Sequence, residues 1–220
     1  MPSDNALTLI NRVLRTTGDY SQLTTVVGSP AGIAERIIDY MNIVLKDIVR
    51  KVEFPELLSK FQATADGINS IYTSTLSFAT VGSGVSVIID GIGKMEEISP
   101  TRLDEMRAQP FIQGIYGRPQ YFARIAGLNN QLAVDVYPTP QANSIITVST
   151  YLSPTLFTPI DTSITELSNN DIIVLGTLAH LDAYDGLERG YMALYEKAKN
   201  DMWQHMVQGE QYRIQPESYK

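Results

Sequence analysis

The segment "HLDAYDGLE" brings His180, Asp182, Asp185 and Glu188 close together. Imidazole and carboxylate oxygens are metal ligands, and on a helix Asp182 and Asp185 share a face. A lone histidine among carboxylates is a signal of low specificity. The reading taken is a polar stripe on an exposed or subunit-facing side. His205 stands alone near the C-terminal end of the last helical segment. There it suits the helix dipole, whereas general acid–base work needs a positioned partner that the sequence does not supply.

Two glycine-rich spots invite a nucleotide reading and fail it. "GSG" at 82–84 lacks the third glycine of a dinucleotide fingerprint and precedes a strand pattern rather than a helix. "DGIGK" ends at Lys94, but Ile88 stands where a P-loop needs glycine, and Met95 where it needs Ser or Thr. Both read as hairpin turns. There is no Gly-x-Ser-x-Gly elbow. Carboxylates abound, but sequence does not place two of them across a bond. No catalytic, cofactor-binding or metal-binding residue is assigned, and no cofactor is expected.

Composition bounds the classes that remain. With 220 residues, 44% of them hydrophobic and 19% charged, the chain can bury a substantial core. It contains no cysteine, hence no disulfide and no thiolate zinc site, which fits a reducing cytoplasm. The first residues, "MPSDNALTLINRVLR", do not read as a secretory signal. No apolar run approaches the ~20 residues of a membrane helix. A net charge of −7 with no basic cluster argues against a domain that grips phosphates.

Helical periodicity frames the chain. Leu7, Ile10, Val13 and Leu14 predict a helix over about 4–17, stopped by Gly18. Ser29 as N-cap and Pro30 at the first position open a long helix to about Val52, with Ile37, Met41, Val44 and Ile48 on one face. Asn169 or Asn170 caps a further run from Asp171. Leu187, Tyr191, Leu194, Ala198 and Met202 give it an apolar stripe, with Gly186 and Gly190 as the places to kink or split it. Trp203, the single tryptophan, reads as a core anchor from the area an indole buries.

Between these helices the pattern turns to strands. "SIYTSTLSFATV" and "GVSVIIDGI" read as a pair joined at "GSG". Ser99 and Pro100 open a short helix. Residues 121–125, 131–136 and 144–152 read as a meander with "GLNNQ" and "YPTPQANS" as its turns. The fold expected is α+β. A long-helix bundle is built from 1–60 and 165–209, with an inserted antiparallel β module with a short helix at 61–164. An extended C-terminal tail follows at 210–220. That tail carries Tyr212, Arg213, Ile214 and Tyr219, types common at interfaces, and is either disordered or folds onto a partner.

Taken together, "LTLINRVLRTTGDY", "AERIIDYMNIVLKDI", "GRPQYFARIAGLNNQLAVDVYPTPQANSIITVSTYLSP" and "LSNNDIIVLGTLAHLDAYDGLERG" resemble a head-to-tail adaptor (connector) of tailed bacteriophages, over nearly the whole chain. The resemblance implies a structural, non-enzymatic virion protein at the head–tail joint, made in the host cytoplasm. It implies a dodecameric ring under the portal, built by the helical part, with DNA passing through the channel without specific binding. The C-terminal segment would bind the portal protein through Tyr212, Arg213, Ile214 and Tyr219. The β module would meet the next tail component (nozzle, tail tube or stopper), for which the strand positions Thr147 and Thr150 are the residues nominated. Two other readings stand beside it: a virion-associated cell-wall hydrolase, and a tail-completion or terminator protein.

Overall fold

The computed structural model describes residues 4–18, 22–27, 32–51, 53–108, 118–167 and 170–213. Its Cα framework divides into two compact units. One joins Met1–Leu57 to Pro154–Lys220, and the other is Leu58–Ser153. Among the described residues the first carries four α-helices and the second eight strands and one α-helix, so the class is α+β.

The helical unit contains α1 (Ala6–Thr17), α2 (Ile33–Lys51), α4 (Asn170–Asp185) and α5 (Tyr191–Arg213). Asn5 caps α1 by accepting from the Thr8 amide at 2.9 Å, and Gly18 ends it at φ 88. Leu9, Ile10, Val13 and Leu14 are buried. The apolar stripe of α2 behaves as its spacing requires: Ile37, Met41, Val44 and Ile48 are all buried. The expected cap at Ser29–Pro30 lies outside the described residues. Helix α4 packs on each of the other three. It is accordingly apolar around most of its circumference, with Ile172, Ile173, Val174, Leu178 and Ala179 buried. Gly176 lets the backbones approach: a Cβ there would lie 2.8 Å from Val44 Cγ1 and from Tyr195 Cε2.

The long helix expected from Asp171 onward is two helices of 16 and 23 residues. Gly186 at φ 67 and Gly190 at φ 82 take the left-handed conformation at the break. The carbonyl of Asp182 accepts from the Leu187 amide at 2.8 Å and closes the turn. At the other end α5 runs on to Arg213, so residues 210–213 are helical where an extended tail was expected. Backbone hydrogen bonding sustains a helix through Gly209 without an apolar period. Residues 154–164, expected with the β module, fall in the helical unit. Asn42 pins them there, donating to the Phe157 carbonyl at 3.0 Å and accepting from its amide at 2.8 Å.

The second unit holds β1 (Leu58–Thr64), β2 (Ile71–Ser77), β3 (Val81–Ile89), β4 (Gly93–Lys94), β5 (Glu96–Glu97), α3 (Pro100–Ala108), β6 (Tyr121–Ala126), β7 (Gln131–Tyr137) and β8 (Ile145–Leu152). They form two four-stranded sheets, ordered β1-β8-β3-β4 and β2-β7-β6-β5. The two sheets share one core, to which Val87, Ile89, Ile146 and Val148 contribute from the first and Tyr72, Phe122, Val134 and Val136 from the second. All pairings are antiparallel except β5 with β6, so the second sheet is mixed rather than antiparallel throughout.

Two strand expectations are corrected. β6 and β7 pair as a hairpin across the turn at Asn129 (φ 58) and Asn130 (φ 59), but β8 leaves for the other sheet, and the segment is not a meander. Pro138 and Pro140 have no N–H to donate, so "YPTP" ends the ladder and carries the chain across. Likewise "GSG" is not a hairpin turn. It lies within β3, whose partner β8 shifts register between Val81 and Val85, while β2 belongs to the other sheet. Gly82 is required by close approach, since a Cβ there would sit 3.1 Å from the Leu152 carbonyl oxygen.

Candidate interaction surfaces

In the β unit the second sheet is covered on its inner face and, where α3 packs on β6 and β7, on its outer face, while Ile71 and Thr73 of β2 stand exposed. Its inner face meets the shared core. Its outer face carries Ala123 and Tyr137, which pack on Leu103 of α3. Ser99 caps that helix, accepting from the Arg102 amide at 3.2 Å. Arg107 then clamps the sheet with two hydrogen bonds to Asp135, at 2.7 and 2.5 Å, and a third to Ser70 Oγ at 3.0 Å. The hydrogen bond to Asp135 holds the guanidinium pKa above its ordinary value against the opposing effect of burial.

The first sheet differs. Along β8, Ile146, Val148 and Thr150 are buried, whereas Ile145, Thr147 and Ser149 stand on the other face. Register places Gln62 and Ile88 on either side of Thr147, with Lys94 next to Ile88. Gln62 donates to Thr147 Oγ1 at 3.2 Å. Leu58, Ile88 and Ile145 are exposed on this outer face. The two nominated threonines therefore part: Thr147 lies on the outer face, while Thr150 is buried and donates to the Gly84 carbonyl at 3.3 Å.

In the helical unit a groove of about 550 Å³ runs between α2 and α5, lined by Ile43, Lys46, Arg50, His180 and Met192. Its floor is a polar knot. Asp47 Oδ2 accepts from the Tyr195 hydroxyl and from Lys199 Nζ, each at 2.8 Å, and Lys199 also meets Glu196 at 2.7 Å. The ammonium lies 4.7 Å from the Tyr195 ring centroid. Desolvation, and then the hydrogen bond to Asp47, raise the Tyr195 pKa, so the phenol remains a donor. Desolvation acts to lower the Lys199 pKa, but the hydrogen bonds to Asp47 and Glu196 outweigh it and the net shift is upward. Tyrosine and lysine are thus each held in the protonated form by the same carboxylate, which suits a clamp between α2 and α5 and suits neither a base nor a nucleophile.

The residues singled out for chemistry are not gathered into one site. His180 stacks on Tyr40, ring centroids 5.9 Å apart and planes within 4°. Asp182 is buried, not part of an exposed stripe: its carboxylate accepts from the Arg189 amide at 3.3 Å and lies 3.7 Å from the Arg189 side chain. The turn between α4 and α5 needs that acceptor. Asp185 and Glu188 are exposed. Among the described residues no group of three or more His, Asp or Glu is placed to hold a metal ion. No helix of the described residues is long and apolar enough to cross a membrane.

Trp203 is half exposed rather than a core anchor, because it falls on a flank of α5 and not on the stripe of Tyr195. The side chains of His205, Tyr212 and Arg213, near the end of α5, lie outside what is described, as do Ile214 and Tyr219 altogether. Sequence reading missed the knot at Asp47. Tyr195 and Lys199 carry a local signal, one helical turn apart, but Asp47 is 148 residues from Tyr195 and nothing local links them.

Residues 4–217 match the model of a family described as SU10 adaptor protein. Among curated proteins, none matches the chain. The family match spans nearly the whole chain, and the chain belongs to that family.

Proposed function

We propose, with membership of the SU10 adaptor protein family as premise, that this bacteriophage structural protein forms a dodecameric ring at the head–tail joint, joining the portal to the tail and lining the DNA exit channel. The observation that carries the reading is the family match over residues 4–217. In this reading the helical unit builds the ring as a bundle from which the β unit is inserted. The C-terminal residues, Tyr212, Arg213, Ile214 and Tyr219 among them, engage the portal. The outer face of the β1-β8-β3-β4 sheet, with Thr147 near its centre, docks the next tail component. Few charges on that face favour burial against a protein surface.

A net charge of −7 supports passage of DNA without tight binding. The role is structural rather than catalytic, which accords with the clamped state of Tyr195 and Lys199. Electron microscopy of virions carrying a tagged copy of the chain tests the whole reading. A twelve-fold ring of label between head and tail is expected. Label at the distal end of a tail tube overturns it in favour of a terminator, and loss of peptidoglycan turnover on removing one carboxylate overturns it in favour of a hydrolase.

A further inference from the structure

Helix α5 presents three stripes. Tyr191, Tyr195, Ala198 and Met202 are buried or half-buried. Met192, Glu196, Lys199 and Trp203 recur at helical spacing on one flank, beside α2. Leu194, Lys197 and Asp201 recur on the other. Met192 is 42% exposed, Leu194 52% and Trp203 51%. Consecutive residues turn by about 100°, so Met192 and Leu194 point roughly 200° apart around the helix. One neighbour cannot cover both. Two neighbours can, one on each flank, and copies joined head to tail supply such a pair because each presents a different face to each side.

Charge says which face meets which. The groove flank is basic at its rim: Lys46 and Arg50, one turn apart on α2, are exposed and have no acidic partner among the described residues. Its apolar part is Ile43, 46% exposed, and Met192. The Leu194 flank carries exposed Lys197 along its middle and acid toward its two ends. Asp201 lies two turns along it, and the turn before α5 adds exposed Leu187 and Glu188, neither carboxylate having an ion-pair partner among the described residues. An apolar centre with a rim of opposite charge on the partner is the anatomy of a specific interface.

We propose that the groove between α2 and α5 receives the Leu194 flank of α5 from a second copy of this chain, so that copies join head to tail. The inference rests on the ring reading and adds the two faces that make the ring close.

The absence of cysteine makes the test clean. Ile43→Cys, Leu194→Cys and the double variant are built into the full chain and treated with a short bis-maleimide, both as purified protein and in virions. The double variant is expected to give a ladder of covalent oligomers extending past the dimer, and each single variant no ladder. Lys46→Glu with Arg50→Glu in the double-cysteine background should cut the ladder by roughly tenfold, and adding Glu188→Lys with Asp201→Lys should restore it. Dimers from a single-cysteine variant, a ladder that stops at two copies, or cross-links to another virion protein overturn the proposal. So does an unchanged ladder after charge reversal. A ring seen in virions without any cross-link sinks these faces and leaves the ring reading intact. Virions with the chain present but no ring sink the ring reading, and the two faces with it.

Discussion

Thr147 and Thr150, three residues apart on β8, point to opposite sides of the same sheet: Thr147 shares the outer face with Gln62, and Thr150 is 1% exposed in the core. A strand alternates faces at each residue, so an odd spacing separates them. Thr150→Glu is therefore expected to cost more than about 3 kcal/mol, because an unpaired carboxylate enters the core. Thr147→Glu should cost about 0.5 kcal/mol or less, and on the proposed function should reduce recruitment of the next tail component. Urea unfolding of both, with virion assembly scored for the second, checks this. Equal stabilities would contradict the register.

Gly176→Ala should destabilise the helical unit by about 1 to 3 kcal/mol. The added methyl meets two Val44 carbons and the Tyr195 ring at 2.8 Å, and these belong to two other helices. Because a helix otherwise favours alanine over glycine, a gain in melting temperature would show that α2 and α5 separate easily from α4.

Asp47→Ala removes the shared acceptor of Tyr195 and Lys199 and should cost about 1 to 2 kcal/mol, since Asp47 itself is only partly covered. The Lys199 pKa is raised in the folded chain. Its contribution is then fully present below the ordinary lysine value and is lost as pH rises through the raised one. The stability gap between the natural chain and Lys199→Met should narrow toward high pH, and denaturation at neutral and strongly alkaline pH measures it. A gap that widens would refute the clamp.

Glu166 shows the opposite sign. Desolvation acts to raise its pKa, but hydrogen bonds from the Thr155 hydroxyl and amide outweigh that effect and lower it. A depressed carboxylate contributes stability above its unfolded pKa, and the contribution vanishes as pH falls through the folded one. Glu166→Gln is expected to lose about 1 kcal/mol at neutral pH and almost nothing below the usual carboxylate range. A pH series of urea midpoints decides it.

Deleting residues 211–220 should leave the cooperative unfolding of both units unchanged and abolish portal binding. Pull-down with purified portal measures the second effect. Undiminished binding would remove the proposed role of Tyr212, Arg213, Ile214 and Tyr219.

Short spacing controls the features that can be read from the residues alone. The inward faces of α1 and α2, the left-handed stops at Gly18, Gly186 and Gly190, the Asn129–Asn130 turn and the Ser99 cap all follow from residues within one or two turns of each other. Features that depend on distant partners emerge only once the chain has folded. β8 and β6 both alternate correctly, yet nothing local says that β8 joins β1 and β3 in a different sheet. Asp182 reads as a surface carboxylate until Arg189 arrives beside it, and nothing local to Asp47 announces Tyr195 and Lys199. Trp203 and Leu194 read as core until the buried stripe of α5 is seen to run through Tyr195, leaving both flanks open. Periodicity gives a helix its apolar faces, but which of them a chain covers for itself, and which it leaves for a neighbour, is set by where the other helices lie.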